Sequence, residues 1–370
     1  MSDCSRSEER PRIPGDDDRG LTRRRALQLS AAAAAGLTAL GRAAAAQEKA
    51  ANADPRGREA PCPAEIAPTG PGHVVEVHQP GMIGRNFPHG DAAREMVHRA
   101  VTKLAGDDDL GRAFGRFVSK EDRVGIKINC LGGKMASTMV EVVDPIVEGV
   151  RAAGVPDENI LIFDQFGGNM RAARYEWQDK PGKLRVLNHA VLGFESDYTR
   201  VEGAKGKLAK TLTWTTAVIN VPLVKDHDLA GITAAIKNMV FGSVEKPQIM
   251  HRDIHVGMPH FYALEQIRGR VVLNVLDGAF CLYEGGPKQN PRTTDRLERV
   301  YASTDPVAID AVTLDLVEEH RARHKMRSLA EVRRPATYLA LAQELGLGVA
   351  DRDRLRIERI ELPAFEPAEA

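Results

Sequence analysis

The chain has 370 residues, with lysine plus arginine and aspartate plus glutamate equal at 51 each and no net formal charge. That balance leaves no global field to hold nucleic acid or an anionic membrane, so any anion site has to be local. Four cysteines without a C-x-x-C pair provide no zinc knuckle and no iron–sulfur cluster motif.

The N-terminus reads as an address. Leu21-Thr22-Arg23-Arg24-Arg25-Ala26-Leu27 runs into an alanine-rich stretch, and Ala43 to Ala46 supplies a small-residue cleavage site before Gln47. This predicts a twin-arginine signal peptide over 1–46, with the twin-arginine translocase as partner during export and a periplasmic or extracellular mature protein. The competing reading is a solvated helix or an uncleaved anchor. The apolar stretch is too short and too weakly apolar for a good span, so the mature part is not expected to be membrane-embedded. Residues 47–72 are rich in proline and charge and read as a flexible linker. Residues 73–370 are expected to form a single α/β domain.

In chain order, a strand is expected at 74–78 and an amphipathic helix at 92–104 with Met96, Val97, Val101 and Leu104 inward. Residues 123–129 form a β-rich run ending before Gly132-Gly133, and Thr138 is placed to cap a helix reaching Val150. Strands follow at 159–164, 184–187 and 215–221, the last closed by Pro222. Helices are expected at 232–241 and 258–267, and a central strand at 270–276 ending at Asp277-Gly278. A short strand at 300–302, a helix from Pro306 to 319, a helix at 337–345 and an edge strand at 356–362 complete the chain. Apolar strand runs without alternation indicate cover on both faces, hence an α/β fold with a largely parallel sheet flanked by helices on both faces.

Ligands in such folds sit at the carboxyl ends of the strands. Polar residues collect there: Lys127 and Asn129, Asp164, then Lys225, Asp226 and His227, then Asp277, then Asp305. In a parallel sheet these ends share one rim, so the groups are expected to converge on one cleft. Lys127 lies between Ile126 and Ile128, opposite its apolar neighbours, and a buried lysine requires an anionic partner in protein or ligand. Lys237 and Asn238 lie in an apolar helix, with Thr233 four residues before Lys237 offering a hydroxyl on the same face. His251 and His255, also four apart, form a candidate metal pair, against which the nearby glycine and proline argue for a loop. Cys130 and Cys281 are either a disulfide or two buried free thiols.

Taken in order, Val124-Gly125-Ile126-Lys127-Ile128-Asn129, Asn220-Val221-Pro222-Leu223-Val224-Lys225-Asp226-His227, Ile236-Lys237-Asn238, Leu276-Asp277-Gly278, Gly286-Pro287 and Ser303-Thr304-Asp305-Pro306 resemble the domain-of-unknown-function 362 family. The family resemblance implies no assigned reaction, and the ferredoxin-type cysteine clusters of many members are absent here. A more distant similarity to the nickel-pincer lactate racemase family implies lysine and histidine around a metal-bearing cofactor.

The expected function is an enzyme acting on a small anionic substrate, a carboxylate or phosphate. Lys127, Asn129, Lys237, Asn238 and Gly286 bind it, Lys225 completes the cationic clamp, and His227 is general acid/base oriented by Asp226 or Asp277. In a metal-dependent version a divalent ion is held by histidines and Asp277. The alternative is a non-catalytic periplasmic protein that binds an anion or metal.

Overall fold

A computed structural model of the chain describes residues 70–288 and 290–367. The expected signal, nearly all of the expected linker, Cys4 and Cys62 lie outside the described residues.

The described strands are β1 (His73–His78), β2 (Val124–Lys127), β3 (Ile160–Asp164), β4 (Arg185–Asn188), β5 (Thr199–Val201), β6 (Ala204–Gly206), β7 (Ala217–Asn220), β8 (Leu223–His227), β9 (Gly231–Thr233), β10 (Val271–Leu282), β11 (Thr294–Ser303) and β12 (Arg356–Glu361). The helices around them include α1 (Gly90–Ala105), α2 (Val140–Ala152), α3 (Gly167–Ala172), α4 (Ala235–Phe241), α5 (Ile254–Tyr262), α6 (Pro306–Arg323) and α7 (Tyr338–Glu344). The main sheet has the order β12-β1-β11-β10-β7-β2-β3-β4, with β8 pairing β10 and β9 pairing β8. Neighbours along this path are parallel except for the two pairs made by β11. The fold is therefore α/β with a mostly parallel mixed sheet.

Strand alternation divides the apolar side chains between two cores. Ile126, Ile162, Ile219 and Val275 share one with Met96 and Val97 of α1 and Ile146 of α2. Val218, Leu276 and Tyr301 share the other with Met239 of α4, Phe261 of α5, Ile309 of α6 and Tyr338 of α7. Helices thus cover both faces, which is why β2, β3 and β7 are buried at every position. Met96, Val97, Val101 and Leu104 are buried on α1, as their helical spacing requires, and the helix stops at Gly106. Gly106 takes a left-handed φ of 67° and turns its N–H back onto the last carbonyls.

Several boundaries differ from expectation for identifiable reasons. Thr138 does not cap α2: its hydroxyl accepts from Asn129 N–H at 2.9 Å and donates to Val221 O at 2.8 Å. The Met139 N–H at the start of α2 instead donates to Asp277 Oδ2 at 2.7 Å. Residues 231–233 pair with β8 as β9, so the helix expected from 232 begins only at Ala235. The strand expected to end at Asp277 continues to Leu282, because its second half pairs with β8 and β11. The short strand at 300–302 is the end of the longer β11, which runs against its neighbours.

Candidate functional site

The parallel register builds the floor of the site. Lys127 of β2 stands opposite Asn220 of β7, Asn220 opposite Asn274 of β10, and Asn274 opposite Ser303 of β11. All four are fully buried on the face opposite Ile126 and Ile219. Four polar groups in an apolar core are tolerable only if each has hydrogen-bond partners, and the Ser303 hydroxyl donates to the His73 carbonyl at 2.6 Å. Asn220 Nδ2 donates to Asn274 Oδ1 at 2.8 Å, and Asn238 of α4 donates to Asn220 Oδ1 at 2.8 Å. Lys127 Nζ donates to Asp164 Oδ1 at 2.8 Å, to Asn238 Oδ1 at 3.0 Å and to the Ile128 carbonyl. Asp164, at the end of β3, also accepts Cys130 N–H at 2.7 Å. The charge of Lys127 is thereby answered inside the protein. Cys130 and Cys281 are free buried thiols, and burial pushes both pKa values up.

On β8, alternation puts Lys225 and His227 on one face and Asp226 on the other. Lys225 Nζ reaches Asn129 Oδ1 at 3.1 Å and Ala136 O at 3.2 Å, but forms no ion pair among the described residues. Burial lowers its pKa to about 8, with Asp164 opposing the fall. Asp226 accepts from Gly286 N–H at 2.7 Å and from Arg334 at 2.9 Å. It fastens the 284–287 loop and does not orient His227.

Lys237 lies on α4, whose first N–H groups, from Ala235 and Ile236, donate to the buried carboxylate of Asp310. Its ammonium stands 4.3 Å from the centre of the Phe241 ring and makes no hydrogen bond or ion pair among the described residues. Burial first, then Lys225, push its pKa down to about 7. Thr233, on β9 rather than on the helix, has a buried hydroxyl with no hydrogen-bond partner. Both residues line a cavity of about 240 Å³, together with Lys127, Asn129, Lys225, His227, Asn238 and His251. Lysines, asparagines and histidines up to 124 residues apart, counting Lys127 to His251, thus meet in one place.

The two histidines are rendered unlike by the backbone. His227 Nδ1 accepts N–H groups of Leu229 and Ala230 at 3.1 and 3.2 Å, which leaves the ring proton of the neutral form on Nε2. Exposed Asp228 also lies 3.0 Å from Nδ1, but an N–H can only donate, so the nitrogen is assigned as acceptor. His251 is the reverse: its Nδ1 lies 3.2 Å from the Gln248 carbonyl and donates to it, leaving a lone pair on Nε2. Burial, then Lys237 and His251, drive the His227 pKa to about 2, while burial and Lys237 lower that of His251.

Besides Asp226, four expected site residues lie elsewhere. Asp277 receives Met139 and Ala279 N–H groups, and burial raises its pKa to about 6. Gly286 contributes only its N–H to Asp226, while its neighbour Pro287 lines the cavity. Asp305 follows the reversed strand β11, so it lies at the other rim and caps α6 through Ala308 N–H. His255 stacks on Tyr338 and does not share the cavity with His251. No cluster of three or more His, Cys, Asp or Glu side chains able to hold a metal occurs among the described residues. With His227 Nδ1 committed to the backbone and His255 outside the cavity lining, the expected pair of His251 and His255 does not form a protein chelate for a metal. Sequence reading missed the Asn220 and Asn274 row, although each is a lone polar residue in an apolar run.

Residues 124–315 match the protein family described as domain of unknown function (DUF362). No curated protein matches the chain. Among solved structures, the lactate racemase apoprotein from Thermoanaerobacterium thermosaccharolyticum aligns at 13% identity with a TM-score of 0.35, covering 66% of this chain. The alignment spans 57% of that chain, and a likeness at this level carries no argument about activity.

Proposed function

The chain belongs to the DUF362 family, and from that premise we propose that its cavity takes a small organic anion on Lys237 and Thr233 and that His251 removes a proton from it. The observation that carries this reading is the ammonium of Lys237, buried in the cavity without a counter-ion among the described residues. A buried cation without a partner is costly, and a carboxylate or phosphate supplies what the protein withholds. Lys225, bonded among the described residues to neutral oxygens, adds to the positive field.

His251 offers a lone pair at Nε2 and is the proton acceptor. His227, neutral and carrying its proton at Nε2, serves as a hydrogen-bond donor that polarises a substrate oxygen, a role for which a depressed pKa is suited. This assigns the base to His251 rather than His227.

Titration calorimetry with phosphate and a panel of small carboxylates tests the binding step, and Lys237→Met should abolish it. Unchanged binding by Lys237→Met would reject the reading. Incorporation of solvent deuterium into a bound carboxylate, followed by NMR, tests proton removal. The strongly depressed His227 favours a second reading, a non-catalytic anion-binding protein, and tight binding without exchange would select it.

We also propose export by the twin-arginine route, on the strength of Arg23, Arg24 and Arg25 before an apolar stretch. Replacing all three by lysine should retain the protein in the cytoplasm, and continued export would reject that route.

A further inference from the structure

The walls of the cavity change character with depth. At the bottom, Lys127, Lys225 and Lys237 are at most 5% exposed. At the mouth, Leu131, Phe166 and Leu229 line the same cavity yet are 46%, 43% and 48% exposed. They come from three separate segments, after β2, after β3 and after β8. Single exposed apolar residues need no explanation, but three converging on the rim of one ligand cavity do.

Resting on the anion-binding reading above, we infer that the ligand is an amphipathic monocarboxylate, with its charged head at Lys237 and an apolar tail leaving between Leu131, Phe166 and Leu229. A purely polar anion would leave these side chains in water after binding, whereas an alkyl or aryl tail covers them and gains the transfer free energy of its own surface. The volume of about 240 Å³ lies under the roughly 300–1,000 Å³ of typical ligand sites, so it holds the head and a few carbons while the tail follows the rim. Lys237 itself repeats the pattern on a small scale, its ammonium set against the face of Phe241.

The test is a series of straight-chain carboxylates from acetate to octanoate, with hexanol as the uncharged control, titrated into the folded chain. Affinity should rise about fourfold per methylene until the tail passes the rim. Hexanol should bind far more weakly than hexanoate. Leu229→Ser and Phe166→Ser, both at exposed positions, should reduce the gain per methylene. A flat series with measurable acetate or phosphate binding would overturn the tail and leave the anion site standing. Failure of every anion to bind would overturn the anion reading itself, and hexanol binding as well as hexanoate would remove the head from Lys237.

Discussion

The imidazoles of His227 and His251 lie nearly parallel, with ring centroids 5.8 Å apart and planes 11° from one another, and the backbone assigns them opposite tautomers. A nitrogen that accepts from a peptide N–H cannot carry a proton, and one that contacts a carbonyl must.

The first prediction concerns those protons. In protein with nitrogen-15-labelled histidine, His227 should be protonated at Nε2 and His251 at Nδ1 at neutral pH. His227 should not titrate between pH 5 and 9, since burial and Lys237 hold its pKa near 2. The same tautomer in both rings would remove the division of roles between them.

The second concerns pH and anion affinity. Lys237 is faced by Lys225, His227, His251 and the exposed Asp228, and only Asp228 favours its charged form. Because a base with a depressed pKa is charged only below it, affinity for acetate, whose own charge does not change above pH about 6, should be full below pH about 7 and fall above it. The fall approaches about tenfold per unit, steepening as Lys225 discharges near pH 8. Calorimetry with acetate from pH 6 to 9 at constant ionic strength checks this, with an affinity that rises with pH as the contrary result.

Much of this was legible in the chain. The apolar strands with polar ends gave the sheet and the meeting of Lys127, Lys225, Lys237 and His227, because parallel strands deliver their ends to one rim. Asp277 and Asp305 were misplaced for reasons outside local sequence. Nothing in 294–303 announces that β11 reverses, and nothing at Asp277 announces that β10 continues through it. The separation of Asp226 from His227 follows from alternation alone once 223–227 is a strand, but Pro222 after the apolar run of 215–221 hides that a second strand begins at once.

The third prediction concerns Asp310, which anchors the first turn of the helix bearing Lys237 and accepts Tyr338 Oη–H at 2.7 Å. Burial raises its pKa to about 7, so between pH about 4 and 7 the folded state holds a proton that the unfolded chain has lost. Its contribution therefore makes stability fall as pH rises through that window, by up to about 1.4 kcal/mol per unit. Urea unfolding of the wild-type chain and Asp310→Asn across pH 4 to 8 should show this slope in their difference. Parallel curves would mean that Asp310 is ionised throughout.

The last concerns Gly242, at the end of α4. A Cβ there would overlap Cε and Nζ of Lys127 and also the Asn238 carbonyl oxygen, and its φ of −79° suits any residue, so the glycine is required for space and not for backbone freedom. Gly242→Ala should push Lys127 off Asp164 and Asn238 and destabilise the fold by about 1–3 kcal/mol. Lys127→Ala should cost about 3–5 kcal/mol, because it leaves the Asp164 carboxylate buried without its counter-ion. To the extent that the overlap with Lys127 is the cause, the two changes share one loss, and the double variant should fall short of their sum by about 0.5–3 kcal/mol in urea unfolding, while the overlap with the Asn238 carbonyl persists without the lysine. Strict additivity would mean that Gly242 is needed for something other than the passage of Lys127.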